Sequence, residues 1–339
     1  MHVKFKLFSF LKVKVGKRER TFQLSKNATL EQAVDLLIEK TGVSSEDILE
    51  KGKLRRNLVV LINGKAVHDL NRKLSPGDTI SLLPSIGGGK GISLTKRDLN
   101  RYKRQIILNG FGKEGQRKFK SSRATIVGVG GLGSPLAIYL SVAGLGNIWL
   151  IDNDKVEYNN LNRQILHWEK DVGRPKVRSA KEKLEKINND ITVEEKKMLL
   201  TSENVADLLQ GSDIVLDALD NFKTRFIVNQ FCVNHEIPFI HAAVYGLEGR
   251  LTTVIPTKGP CLRCLIPENP PEKKKFPILG ATAGAIASLE VIEAVKVICD
   301  LGTPLVNRML FFDGQNSCFH VVQVKKDPEW PVCGTSGTE

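Results

Sequence analysis

The sequence predicts an α/β chain in two parts: a doubly wound, mostly parallel sheet with added antiparallel strands, preceded by a small α+β unit. Three observations carry this. Strands and helices alternate regularly from RATIVGVG to IPFIHAA. A glycine-rich turn, GVGGLG at 128–133, joins the first of those strands to a helix. Ahead of it, the chain reads β-β-α-β-β and closes on the three glycines Gly87, Gly88 and Gly89. A length of 339 residues suits two domains. The boundaries fall at 1–89, a linker at 90–96, and 97–339.

In the first part, residues 2–15 and 19–24 read as two strands joined around Gly16. NATLEQAVDLLIEKTG reads as a helix. Thr29 and Gln32 make a capping box, Leu30, Val34 and Leu37 share a face, and Gly42 ends it. NLVVLINGKAV is a hairpin turning at Asn63-Gly64, SPGD is a turn, and TISLLPS is the last strand. This order matches a β-grasp fold.

In the second part, residues 93–120 read as helical and basic, with Ser93 capping the first turn. RATIVGVG and NIWLIDND follow as strands, then a helix near 175–188, the strand ITVEEKK, and a helix near 202–210. DIVLDALD, a helix near 222–235 and IPFIHAA complete the alternation. GRLTTVIP, RMLFFDG and FHVVQVKK are further strands around an apolar helix near 281–299. There is no internal repeat.

Composition removes several classes of function. No apolar run reaches bilayer length, and the opening MHVKFKLFSFLKVKVG alternates apolar and basic residues where a signal peptide would be uniformly apolar, so a cytoplasmic location is expected. Six cysteines are too few for a secreted disulfide framework. The net charge is +13, of which residues up to Lys96 carry 18 Lys/Arg against 9 Asp/Glu. Aromatic residues are not interleaved with these lysines, which argues against nucleic acid. A solvated face, or a docking face for an acidic partner, remains.

GVGGLG meets the G-x-G-x-x-G pattern through Gly128, Gly130 and Gly133, with Gly131 between them. Ser134 reads as the helix cap and Pro135 as its first residue. A turn of this kind brings backbone N–H groups and a helix N-terminus toward phosphate oxygens, a Rossmann-like arrangement. Asp152 ends the next strand, where a carboxylate holds ribose hydroxyls. The pattern alone fits a nicotinamide dehydrogenase equally well. The residues that follow shift the balance. Asp154 comes first, then Asn160, Arg163 and Gln164 in NNLNRQ, Lys176 in GRPK, and Asp220-Asn221 after a strand. A hydride-transfer site needs an apolar slot, whereas Arg163 and Lys176 suit a triphosphate and Asp220 suits Mg2+.

Several stretches together resemble the MoeB/ThiF/HesA adenylyltransferases, relatives of ubiquitin-activating enzymes: RYKRQIIL, GVGGLGSP, LIDNDKVEYNNLNRQ, DVGRPK, ALDNFKTR, CLRC and PVCG. Residues 1–89 resemble the ThiS/MoaD sulfur carriers, which end in Gly-Gly. The resemblance implies that a carrier's terminal glycine carboxylate attacks the α-phosphate of ATP, releasing pyrophosphate and leaving an acyl-adenylate. It implies that Asp152 holds the ribose, that Asn160, Arg163 and Lys176 hold the phosphates, and that Asp220 holds magnesium with Asp154 close by. Arg104 resembles the family arginine that reaches into the site of a second subunit, which implies a homodimer. A separate sulfur donor, such as a cysteine desulfurase or rhodanese, would act downstream.

Two departures stand out. The segment IPENPPEKKKFPILGATAG holds no cysteine, which argues against a thiol relay within this chain. The family's zinc site uses two C-x-x-C pairs. Cys261 and Cys264 form the first, but the second keeps only Cys333, with Trp330 in place of its partner. Zinc then needs a fourth ligand, from His320, Cys318 or outside the chain. Cys232 and Cys299 read as core residues.

The glycines have two readings. Joined to Lys90 by a peptide bond, Gly89 has no free carboxylate, so the fused carrier cannot be activated in the intact chain. Cleavage after Gly88 or Gly89 would supply one. Otherwise the unit is a tethered regulatory or docking module, and the nucleotide fold acts on free carriers or serves only as a binding platform.

Overall fold

The computed structural model describes residues 1–7, 15, 19–50, 53–54, 58–67, 69–84, 93–271, 276–328 and 332–333. The chain divides into two compact units, Met1–Gly91 and Ile92–Glu339. Gly87, Gly88, Gly89 and Trp330 lie outside the described residues.

The first unit is a five-stranded sheet with one long helix. Its strands are β1 (His2–Leu7), β2 (Glu19–Gln23), β5 (Leu58–Ile62), β6 (Lys65–Val67) and β7 (Thr79–Pro84), in the order β2-β1-β7-β5-β6. β3 (Leu49–Glu50) and β4 (Lys53–Leu54) form a separate small ladder. β1 and β7 run parallel and the other pairs are antiparallel, as in the expected β-grasp layout. Alternation along β1 turns Val3, Phe5 and Leu7 inward, onto Leu30, Val34 and Leu37 of helix α1 (Leu30–Thr41). Both halves of the Thr29–Gln32 capping box form, and Gly42 closes the helix at φ 71°. Asn63 and Gly64 take positive φ at the hairpin turn, as an Asn-Gly pair predicts. Of the expected first strand at 2–15, His2–Leu7 is a strand, residues 8–14 lie outside the described residues, and Val15 is helical.

The second unit is an eight-stranded sheet. It comprises β8 (Arg123–Val127), β9 (Asn147–Ile151), β10 (Thr192–Lys196), β11 (Ile214–Asp217), β12 (Phe239–Tyr245), β13 (Glu248–Val254), β14 (Arg308–Asp313) and β15 (Cys318–Gln323). The order is β10-β9-β8-β11-β12-β13-β14-β15. It is parallel from β10 to β12 and antiparallel beyond. The chain moves outward from β8 to β9 and β10, then returns to β11 on the other side of β8. The carboxyl ends of β8 and β11 therefore flank a topological switch point, where such sheets bind ligands. The apolar helix Gly280–Cys299 buries Ile286, Ala287 and Ala294 in the main core. Among the described residues, no helix is long and apolar enough to cross a membrane.

Two expected caps move. The helix at Lys96–Arg101 is capped by Thr95, not Ser93, because Asp98 completes a reciprocal capping box with Thr95. The helix after the glycine turn already begins at Gly133 and runs to Ala143, so Ser134 and Pro135 lie inside its first turn. Ser134 is fully buried there, with no partner for its hydroxyl among the described residues.

Candidate functional site

The glycine turn leaves β8 at the switch point. Gly128 has φ 99°, and a Cβ there would stand 2.5 Å from the carbonyl oxygen of Ala218, just past β11. A Cβ on Gly133 would stand 2.0 Å from the Gly128 carbonyl oxygen. Only glycine permits this closure. At Gly130 and Gly131 an added Cβ would meet only ordinary contacts, with Gln164 at 3.7 Å and with Arg163 at 3.6 Å. Their backbone N–H groups donate to no group among the described residues. Two free amides at the start of an eleven-residue helix form an anion cradle.

Carboxylates and bases surround this cradle. Asp152 accepts from the Val129 N–H at 2.8 Å and from the Asp154 N–H at 2.8 Å. Burial raises its pKa, opposed by the nearby Lys176 charge. Lys176 begins the helix Lys176–Ile187, is buried, and donates to Asp154 at 2.8 Å. Arg163 donates to the Asn159 carbonyl at 2.8 Å and to the Asn162 side chain at 3.0 Å. Asn160 is buried and engaged at both ends, accepting from the Glu157 N–H and donating to the Asn159 side chain. Gln164 is buried with no partner for its Oε1 among the described residues. Gly280 opens the long apolar helix against this turn; a Cβ there would stand 2.8 Å from the Asn162 carbonyl oxygen.

The structure thus gathers Gly128, Gly130, Gly131, Gly133, Asp152, Asp154, Arg163, Gln164 and Lys176. Asp220 lies three residues past the end of β11, exposed, beside the Asn221 amide at 3.4 Å. The side-chain oxygen of Asn221 caps the helix Phe222–Asn234 through the Thr224 N–H. Arg104 is exposed on the short helix Lys103–Ile106 and makes no hydrogen bond or ion pair with the glycine turn among the described residues.

Sequence reasoning missed two buried polar groups behind the cradle. Asp217 ends β11, pairs with Arg225 at 3.0 Å and accepts from His241 at 2.6 Å. Burial opposes its ionisation, but Arg225 first and His241 second hold its pKa below the ordinary carboxylate range. Glu290 is fully buried near them, with no partner for either oxygen among the described residues. The second group runs from Val129 through His167, Ser179 and Lys183 to Asp171. The available signal was an Asp inside the apolar run DIVLDALD.

Cys261, Cys264 and Cys333 bring three sulfurs within 4.8 Å of one another, and the Asp327 N–H points at the Cys264 sulfur at 3.5 Å. Burial and the neighbouring Cys264 push the Cys333 thiol up to about 12. A soft cation would reverse that, so the donor set fits zinc. Cys318 and His320 do not join this group. They contact each other at 3.2 Å on β15. Cys232 and Cys299 are buried, as expected of core residues.

The chain matches the ThiF family over residues 102–334 and the ThiS family over residues 5–89. A "SAMP-activating enzyme E1" from Haloferax volcanii is 40% identical over 253 residues, 73% of this chain and 93% of that protein. A "Sulfur carrier protein adenylyltransferase" from Thermus thermophilus is 38% identical over 255 residues, 72% of this chain and 94% of that protein. Among solved structures, E. coli MccB with ATP superposes with a TM-score of 0.64 at 26% identity, covering 75% of this chain and 77% of that one. A family match over residues 102–334, and relatives aligned along nearly all of their own length, establish that this chain belongs to the ThiF family.

Proposed function

We propose that this protein adenylates the C-terminal glycine carboxylate of a ubiquitin-like or sulfur-carrier protein, using ATP and releasing pyrophosphate. The observation that carries the reading is the pair of unpartnered Gly130 and Gly131 amides at the glycine turn, with Arg163 packed near Gly131 and the buried Lys176 held on Asp154. Two relatives whose names describe activation of such carriers, a solved relative with bound ATP, and the ThiS-like unit on the same chain support it.

Asp152 takes the ribose hydroxyls with whichever oxygen lone pairs its two backbone donors leave free. Arg163 and Lys176, with the buried Asn160 and Gln164 beside them, offset the repulsion between the incoming carboxylate and the triphosphate and hold the two in line. Asn221 fixes the start of its helix, and so the loop carrying Asp220. Asp220 is the carboxylate that would hold Mg2+, which supplies charge neutralisation on the departing phosphates. Arg104 sits beside the exposed Ile107 and Leu108, an arrangement that suits a face covered by a second copy of the chain. The three cysteines hold zinc as a structural clamp, with a fourth ligand beyond the described residues. The fused carrier becomes a substrate only after hydrolysis of the peptide bond following Gly88 or Gly89 frees a carboxylate. A separate sulfur donor, such as a cysteine desulfurase or rhodanese, then acts on the adenylate.

The test is exchange of labelled pyrophosphate into ATP. The full chain is mixed with Mg2+ and separately expressed residues 1–88 or 1–89. Exchange that requires one of these endings is the expected result. NAD binding without exchange would mark a dehydrogenase, and ATP binding without exchange to any free carrier a platform.

A further inference from the structure

The structure assigns to His167 a positioning role: it turns the Gly130 N–H outward, into the anion cradle. One peptide unit sets this geometry. The Val129 carbonyl and the Gly130 N–H belong to the same peptide plane, which is trans. In a trans peptide these two groups point in opposite directions. The Val129 carbonyl is drawn into the protein interior, where it meets His167 Nε2 at 3.2 Å. The Gly130 N–H must then face away from the interior. It donates to nothing among the described residues.

A carbonyl only accepts, so His167 must carry its proton on Nε2. The neighbours on the other side accommodate that tautomer. Lys183 is buried and donates to Asp171, to the Ser179 hydroxyl oxygen at 2.7 Å and to the Ser179 carbonyl at 3.3 Å. An ammonium has no lone pair, so the Ser179 hydroxyl is the acceptor there and its own proton is free to turn elsewhere. It points at His167 Nδ1, 3.0 Å away, which must be bare to accept it. The Val129 carbonyl thus fixes the tautomer, and Lys183, Ser179 and the imidazole form one connected hydrogen-bonded chain that ends on the peptide plane. Burial also keeps the ring neutral, holding its pKa down at about 4.

The peptide before Val129 is fixed as well, by the Val129 N–H on Asp152. Ser179 lies one turn beyond Lys176 on the same helix. One buried chain therefore ties the cradle to the lysine beside it. His167 touches no substrate in this scheme. It takes no part in the chemistry and acts through Gly130. The inference leans on the adenylation reading only in naming ATP, because the N–H serves any nucleotide phosphate.

Two substitutions in the full chain separate this role from simple packing. His167→Gln keeps a donor near the Nε2 position. His167→Asn is too short to reach the Nε2 position and leaves the Val129 carbonyl without a donor, while its amide can still meet Ser179 near the Nδ1 position. Calorimetric titration with ATP and with ADP should show His167→Asn weakened roughly tenfold or more. His167→Gln should stay within about threefold of the wild type. Equal losses in both variants, or none in His167→Asn, would overturn the assignment. A second readout needs neither a variant nor a nucleotide. The imidazole 15N spectrum of the wild type at pH 7 should show Nε2 protonated and Nδ1 bare. An Nδ1–H tautomer or an imidazolium would sink the relay. Nucleotide binding with the expected split, but no pyrophosphate exchange, would retire the adenylation reading and leave His167 where it is.

Discussion

Lys176 holds Asp154 at 2.8 Å, yet the two side chains differ sharply in exposure, 9% for the lysine and 59% for the aspartate. The lysine is anchored by the fold and the carboxylate is the half that can move. On the proposed reading, an arriving triphosphate would displace Asp154, not Lys176. Lys176→Ala should therefore lower pyrophosphate exchange by roughly a hundredfold, the scale of losing one oriented charge. Lys176→Arg should recover only part of it, since a planar fork does not fit a buried point-charge site. Steady-state exchange kinetics measure both.

The glycine turn separates shape from chemistry. Gly133→Ala puts a methyl group 2.0 Å from a backbone oxygen and should destabilise the larger unit by roughly 3 kcal/mol or prevent its folding. Gly131→Ala meets only contacts near 3.6 Å and should stay within about 1 kcal/mol of the wild type. Denaturant unfolding distinguishes them.

The acid limb of stability should carry the mark of His167. Burial holds its folded pKa down to about 4, below the ordinary histidine value of 6.5, so between these pH values the unfolded chain binds the extra proton. Stability then falls as pH falls from 6.5 toward 4, by roughly 3 kcal/mol for this group. Asp171 adds a second loss at lower pH. Burial opposes its charge, but Lys183 and the Trp168 N–H hold its pKa down to about 2. Unfolding measured from pH 7 to pH 4.5 should show the His167 slope, and His167→Gln should flatten it.

Glu290 works in the opposite direction. Burial, and then the neighbouring Asp217 carboxylate, raise its pKa well above the ordinary value of 4.5. The folded state keeps this proton where the unfolded state has lost it, so stability decreases as pH rises above 4.5. Glu290→Gln, neutral and nearly the same shape, should unfold later than the wild type at pH 8 to 9. An unchanged melting temperature there would mean that the carboxyl finds a partner in solution.

Zinc bound by the three cysteines predicts one equivalent of metal per chain by elemental analysis. Stripping it with a chelator should lower the melting temperature, and Cys264→Ser should abolish retention. Metal-free protein with unchanged stability would leave the cysteines as a thiol cluster without a structural task.

Much of this was legible in the sequence because each signal was local. Thr29 with Gln32, Asn63 with Gly64, and Gly128 with Gly133 act within a few residues, and the structure places them as their spacing implies. The helix start at Gly133 was misplaced by the same logic, since Ser134 looks like a cap until the turn closes tightly enough to bury it. The relay behind the cradle was not legible. Nothing local in the sequence marks Lys183 and Asp171 as interior, yet both are buried in the folded chain. Arg104 is exposed in the single chain, as a residue proposed to serve a second copy would be.

Each unit of this chain has a hydrophobic core of its own, built from separate sets of residues. Two self-sufficient bodies on one message are translated in a fixed ratio, whatever happens to transcription or ribosome supply. If the bond after Gly88 or Gly89 is cut as proposed, carrier and enzyme would arise in equal numbers from each chain, and the supply of carrier would follow synthesis of the chain itself.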